Sequence, residues 1–292
     1  GCFSFSSRKE KSNLMLGLIH NELLVIAGRW RSYIGFIGIS ILMPLILWGF
    51  SVGGEELHRD YARELGGTFM VVGSILNSFL ATYIIMNTLW IHIPFLVTLA
   101  AGDSVAADGA NGIFRITLTR SVSRFKILVS KLMASYIYTA LLLIFCALWS
   151  LGIGSIVLGT GDLIVIDNGI LILDESQAWA RMAFSFLLAI LVMCMVATLC
   201  FMFSTMTNNA VGPIIGTIFL IIIGYMIMGI PLEIFEKIEP YVFVKYFDVW
   251  WDAFKDPIPW SEIGKKLGVL GAYSVTCFGI ATYVFLKKDI KT

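Results

Sequence analysis

The sequence predicts an all-α membrane protein with six transmembrane helices, and three observations carry that prediction. Of 292 residues, 58% are hydrophobic and 14% charged, against roughly 45–50% and about 25% in a soluble domain. Stretches free of Asp, Glu, Lys and Arg run over 32–54, 65–102, 132–161, 182–232 and 267–286. Each exceeds the roughly 20 residues needed to cross a hydrocarbon core about 30 Å thick. The stretches are continuously apolar, whereas barrel strands would alternate every second residue. This composition excludes a soluble enzyme, and residues 1–292 read as a single transmembrane domain.

Taken in order, residues 12–31 form a mostly apolar segment ending in Arg29, Trp30 and Arg31. It reads as an interfacial helix with those side chains at headgroup depth; the alternative is an extension of the first span. The second stretch, 65–102, would be about 57 Å long as one helix, so it either projects beyond the bilayer or bends at Pro94. Residues 103–126 connect the second and third spans. The stretch 182–232 contains Ser204-Thr205-Met206-Thr207-Asn208-Asn209 and then Gly212-Pro213, a stop and restart that divides it into two helices. Gly212 and Gly216 form a GxxxG, a signal of close helix contact.

Between the fifth and sixth spans, 231–264 is too polar to cross yet carries nine aromatic residues. Lys245, Asp248, Asp252 and Lys255 fall on one helical face, with Phe243, Phe247, Trp250 and Phe254 opposed. An amphipathic outer-face helix is expected, delimited by Pro240, Pro257 and Pro259. It is either a surface anchor or a re-entrant element closing the outer mouth of a pathway. In the second case Phe247, Trp250, Trp251 and Phe254 form the gate or an interface with an extracytoplasmic accessory protein.

Charge orients the chain. The N-terminal segment, the 103–131 connection and the tail hold 13 Lys and Arg against five acids, leaving 8 positives and 15 acids opposite. The positive-inside rule puts both termini and that connection in the cytoplasm. The net +1 offers no basic surface for nucleic acid.

Motifs for covalent chemistry are missing. The pair Gly264-Lys265 has Pro259 where a Walker A loop needs glycine, and neither HExxH nor GxSxG occurs. Glu55-Glu56-Leu57-His58-Arg59 has some likeness to the glutamate pair of intramembrane prenyl-protein proteases, but its arginine comes one residue early. Met193, Cys194, Met195, Cys200 and Met202 include soft Cu(I) donors, yet consecutive helical residues point about 100° apart, which favours packing over a metal centre. No catalytic, metal or cofactor site is assigned. In the second span Asn77, Thr88 and His92 fall within about 60° of one face, as a polar pathway wall or as interhelical hydrogen-bonding groups.

The connection from Asp103 to Leu128 begins acidic, turns at Gly109 and Gly112, and ends basic through Arg115, Arg120 and Arg124. Here the sequence resembles the ABC-2 type transport permeases, whose corresponding loop has an acid, Gly-Thr, and then Leu-x-Arg-Pro-Val/Ile-Ser-Arg. Asp108 matches the acid, Gly112 the glycine, Leu118 the leucine, and Arg120, Val122, Ser123 and Arg124 the terminal signature. Ile113 and Ser121 depart from it, standing where the family has Thr and Pro.

The resemblance implies the membrane subunit of an ATP-binding cassette exporter in a prokaryotic plasma or inner membrane. ATP and Mg would bind two copies of a separate ATPase subunit, and the pathway would form with a second or related permease. It makes 103–126 a coupling helix, with Asp103, Asp108, Gly112, Arg115, Arg120 and Arg124 as the coupling residues. The nearly uncharged spans suit an amphipathic, lipid-like or peptide cargo. Competing classes are a membrane scaffold or sensor using 231–264, and a secondary transporter, which would need buried charges.

Overall fold

A computed structural model describes residues 2–64, 76–110, 123–166, 170–209 and 211–287. The helices are α1 (Cys2–Ala27), α2 (Arg31–Glu64), α3 (Ser78–Leu89), α4 (Ile93–Ala110), α5 (Arg124–Leu158), α6 (Glu175–Met206), α7 (Val211–Gly229), α8 (Glu233–Ile238) and α9 (Trp260–Lys287). A 3₁₀ turn, Glu239–Tyr241, and a 3₁₀ helix, Phe243–Phe254, precede α9. Five helices, among them α2 over Arg31–Gly53, are long and apolar enough to cross a membrane, and α3 with α4 pass the same test as a bent pair. These are the helices of a membrane protein.

The expected bend in the second span occurs where α3 and α4 meet at 59°. Pro94 is the second residue of α4, where its missing N–H costs nothing, while its ring disfavours helical continuation upstream. The turn is held by His92 N donating to Leu89 O at 2.8 Å and Phe95 N to His92 O at 3.1 Å. α3 starts at Asn77, whose extended backbone lets its side-chain oxygen accept from Phe79 N and Leu80 N, both at 3.0 Å. That is an N-cap.

Asn77 also donates Nδ2 to Asp162 O at 2.6 Å, tying α3 to a hairpin absent from the sequence expectation. Strands β1 (Leu163–Ile166) and β2 (Ile170–Leu173) pair antiparallel, Leu163 opposite Leu173 and Ile166 opposite Ile170. The signal was present: Asp167-Asn168-Gly169 stands between two apolar tetrads. Gly159, at φ 75, ends α5 just before it, a left-handed position that suits glycine.

α6 is the axis of the bundle. Seventy-two per cent of its apolar window is buried, against 22–33% in the other four crossing helices. α4, α5, α7, α9 and the 3₁₀ helix all pack on it, around Ala189, Val192, Met193, Val196, Ala197 and Cys200. The break between α6 and α7 falls at 207–210, where the Ser/Thr/Asn cluster predicts it. The GxxxG contact is made within the chain, since a Cβ on Gly216 would touch the Phe203 ring of α6 at 3.8 Å.

Two further readings are decided, one as expected and one not. α1 is separated from α2 by a break at 28–30 rather than extending it. The segment expected as an outer amphipathic α-helix is a 3₁₀ helix that dips into the bundle. At its deep end the Tyr273 hydroxyl donates to Tyr241 O, and the Phe243 ring lies 5.9 Å from that of Tyr273. Tyr273 is thirteen residues into α9, about 20 Å from that helix's start. At its shallow end Arg181, near the start of α6, donates to Ala253 O and Lys255 O, each at 3.1 Å. The chain therefore descends from the end of α7 and climbs back, and close passage is allowed by Gly224, where a Cβ would come within 2.6 Å of Val244 Cγ2.

Candidate functional site

Two constellations stand at opposite ends of the bundle. At the end where α4 stops and α5 begins, six charged side chains from α1, α2, the break between them, α4 and α5 interlock. Lys131 of α5, with 3% of its side chain exposed, pairs with Asp108 and, at 2.8 Å, with Glu22 of α1. Arg29 reaches Asp108 Oδ1 at 3.2 Å and donates to Asp103 O at 2.8 Å. Arg31 closes on Asp103 Oδ1 at 3.0 Å. Three cations meet three carboxylates, so little net charge is left uncompensated in a poorly solvated place.

Beside this node Ser204 of α6 enters the backbone of α4. Its hydroxyl donates to Gly102 O at 2.7 Å and accepts from Val105 N and Ala106 N at 3.1 and 2.9 Å. A side chain in the helical ladder marks a place where the helix can bend. The last turn of α4 is thus stapled to the axis helix and ion-paired to α1 and α5.

These contacts revise the expected coupling loop. Asp103 and Asp108 lie on the closing turns of α4, not in a loop, and their carboxylates are 7% exposed. The helix continues past them because Arg29, Arg31 and Lys131 compensate both charges. Arg124 begins α5, half-buried, with Nη1 donating to Leu286 O at 3.4 Å. Gly112, Arg115 and Arg120 lie outside the described residues. Glu22 and Lys131 were missed as partners. Their signal was weak: Lys131 stands seven residues after Arg124, two turns along the same face of α5.

At the opposite end, aromatic rings converge from α3 and the 3₁₀ helix. Tyr83 meets Trp250, Trp251 and Phe254 at centroid distances of 6.4, 5.8 and 5.1 Å, and Trp90 meets Trp250 at 5.2 Å. Phe247, Trp250 and Phe254 are buried and Trp251 is half-buried, so the four outer residues singled out pack as a wedge into the bundle. The indole nitrogens of Trp90 and Trp251 and the hydroxyls of Ser78 and Thr82 are buried with no hydrogen-bond partner among the described residues. Each such group costs about 1–3 kcal/mol.

Asp252, 1% exposed, is carried in with the wedge and pairs with Lys266 at 2.7 Å and Lys255 at 2.8 Å. The bundle interior is therefore less free of charge than the spans alone suggest.

The expected polar wall of Asn77, Thr88 and His92 does not form one helical face. Asn77 is buried as a cap before α3 begins, Thr88 is exposed and donates to Ile84 O at 3.0 Å, and His92 is exposed in the bend. The 100° projection fails because the helix is interrupted between 89 and 93. Cys200 donates Sγ to Thr98 O at 3.7 Å, and among the described residues no three His, Cys, Asp or Glu side chains gather as a metal centre.

The chain is 24% identical to "Uncharacterized protein YhcI" of Bacillus subtilis (strain 168), over 94% of this chain and 99% of that one. Residues 39–290 match the family described as "Protein of unknown function (DUF2705)". That match takes in both constellations except for Glu22, Arg29 and Arg31, and the chain belongs to this family.

Proposed function

We propose that the chain is the membrane subunit of an ATP-binding cassette exporter. It would have six spans, counting α3 and α4 as one, and cytoplasmic termini. Its energy would come from two separate ATPase subunits that hold ATP and Mg. The observation that best supports this is the ion-paired platform around Asp108. A coupling segment transmits force only if its roots are rigid, and residues 111–122 are rooted between α4 and α5, which share Lys131 and Asp108 as a buried pair. From there Ser204 links α4 to the axis helix. Gly112 and Arg120, which match the ABC-2 pattern, supply the contact surface in this reading together with Arg115, and Arg124 stands beside them.

The wedge of Phe247, Trp250, Trp251 and Phe254 would be the outer closure of the pathway. A second copy or a related permease would complete that pathway in a prokaryotic plasma or inner membrane. The cargo suited to apolar spans is amphipathic, lipid-like or peptidic.

The test uses the loop arginines, because Asp108 is already engaged inside the chain. With an ATPase encoded beside the gene co-expressed, Arg115→Glu combined with Arg120→Glu should lower its co-purification at least tenfold. The permease should still elute as wild type. Undiminished co-purification, or no ATPase retained by the wild-type chain, would sink the proposal. In the reconstituted complex, the molecule that stimulates ATP hydrolysis identifies the cargo class.

A further inference from the structure

The outer segment carries two different helical codes in one sequence. Projected at 100° per residue, Phe243, Phe247, Trp250 and Phe254 fall within about 60° of one another. Lys245, Asp248, Asp252 and Lys255 fall within about 80° on the other side. That is the pattern of an α-helix with one wet and one apolar face. The observed conformation is instead a 3₁₀ helix over Phe243–Phe254, in which Val244, Phe247, Trp250 and Ala253 form one buried row and Val249, Asp252 and Phe254 are buried beside it. A 3₁₀ run this long is unusual, and such stretches often mark hinges.

The conformation leaves several conflicts with the chemistry of the side chains. Asp252 is buried against the bundle, where Lys255 and Lys266 compensate it, and Lys266 also pairs with the exposed Asp248 at 3.1 Å. Phe254 is brought onto the same threefold row as Lys245 and Asp248. The indoles of Trp251 and its neighbour Trp90 lack hydrogen-bond partners among the described residues. Local sequence and tertiary packing thus favour different helices, and a buried ion pair adds little net stability to tip the balance.

We propose that residues 243–254 form a two-state element that converts between the observed 3₁₀ helix and an α-helix, withdrawing the Trp250 wedge from Tyr83 and Trp90. Twelve residues shorten by about 6 Å on going from about 2.0 to 1.5 Å rise per residue. Both ends are anchored, at Tyr273 and at Arg181, so the shortening must release one of them and open the bundle at the hairpin end. Asp252 is the latch: in the α form it turns out to the wet face with Lys255 and leaves Lys266, which keeps Asp248 alone. The inference goes beyond the exporter reading and does not rest on it, because its test contains no ATPase and no cargo.

Spin labels at Tyr241→Cys and Asp256→Cys, which flank the segment and leave Asp252, Lys255 and Lys266 in place, read its length with native cysteines replaced and the chain in lipid nanodiscs. The α form should bring them about 6 Å closer than the 3₁₀ form. The otherwise wild-type chain is expected to show mainly the long distance, with a short component that grows between 5 and 40 °C. Lys266→Gln, or the isosteric Asp252→Asn, should raise the short component at least threefold. A single unchanged distance on warming overturns the proposal, as does a short component that neither substitution alters in protein eluting as wild type. If neither variant elutes as wild type, the warming series decides alone.

Discussion

Lys131 sits between the carboxylates of Glu22 and Asp108, and its ammonium has almost no access to water. Removing one partner of such a buried pair leaves an uncompensated charge, which costs about 3–5 kcal/mol, more than the intact pair contributes. Lys131→Met should lower the thermal midpoint in detergent by an amount equivalent to about 3 kcal/mol or more. Adding Asp108→Asn should recover part of that loss. A midpoint within error of wild type would reduce the node to a surface cluster. Only half of this node was legible in the sequence. Asp103 and Asp108 stood out as acids in a basic region, but charge counting assigned Arg29 and Arg31 to lipid headgroups, since pairing across 72 or more residues leaves no local mark.

At the scale of elements, the irregular pieces are the informative ones. The spans α5, α6 and α9 follow from apolar continuity and the bend between α3 and α4 from Pro94. The 3₁₀ segment does not follow from its own pattern, because the pattern is that of an α-helix and the bundle overrides it. The point of override is Gly224, whose missing side chain lets Val244 press against α7. Gly224→Ala should therefore destabilise the fold by about 1–3 kcal/mol through overpacking, measured by thermal unfolding in detergent. A change below about 0.5 kcal/mol would mean that the close contact of Val244 with α7 does not hold the wedge in place. Asn77 illustrates the opposite case: its type suggested a pathway lining, and its position made it a cap that also holds the hairpin.

For the whole molecule, the two constellations mark opposite ends of the bundle, which charge counting in the sequence expects to be a cytoplasmic and an outer end. The sidedness from charge can be checked with single cysteines and a membrane-impermeant maleimide in intact cells. Glu175→Cys, beside the hairpin, should label from outside, whereas Ser121→Cys and Lys288→Cys should label only after permeabilisation. The reverse pattern would invert the topology and remove the exporter reading's coupling loop from the ATP-containing side.

The burial of α6 bears on how the chain is made. A helix this apolar enters the bilayer readily, but in the finished bundle it has exchanged most of its lipid contacts for protein ones. Two of the elements that enclose it, α7 and α9, are translated after it. During synthesis α6 must therefore wait in lipid with its packing face bare, and insertion and assembly are separate stages for this helix. The C-terminal third is a lid completed last: a nascent chain interrupted after residue 209 would carry both halves of the Asp108–Lys131 node and still lack the walls that make its central helix central.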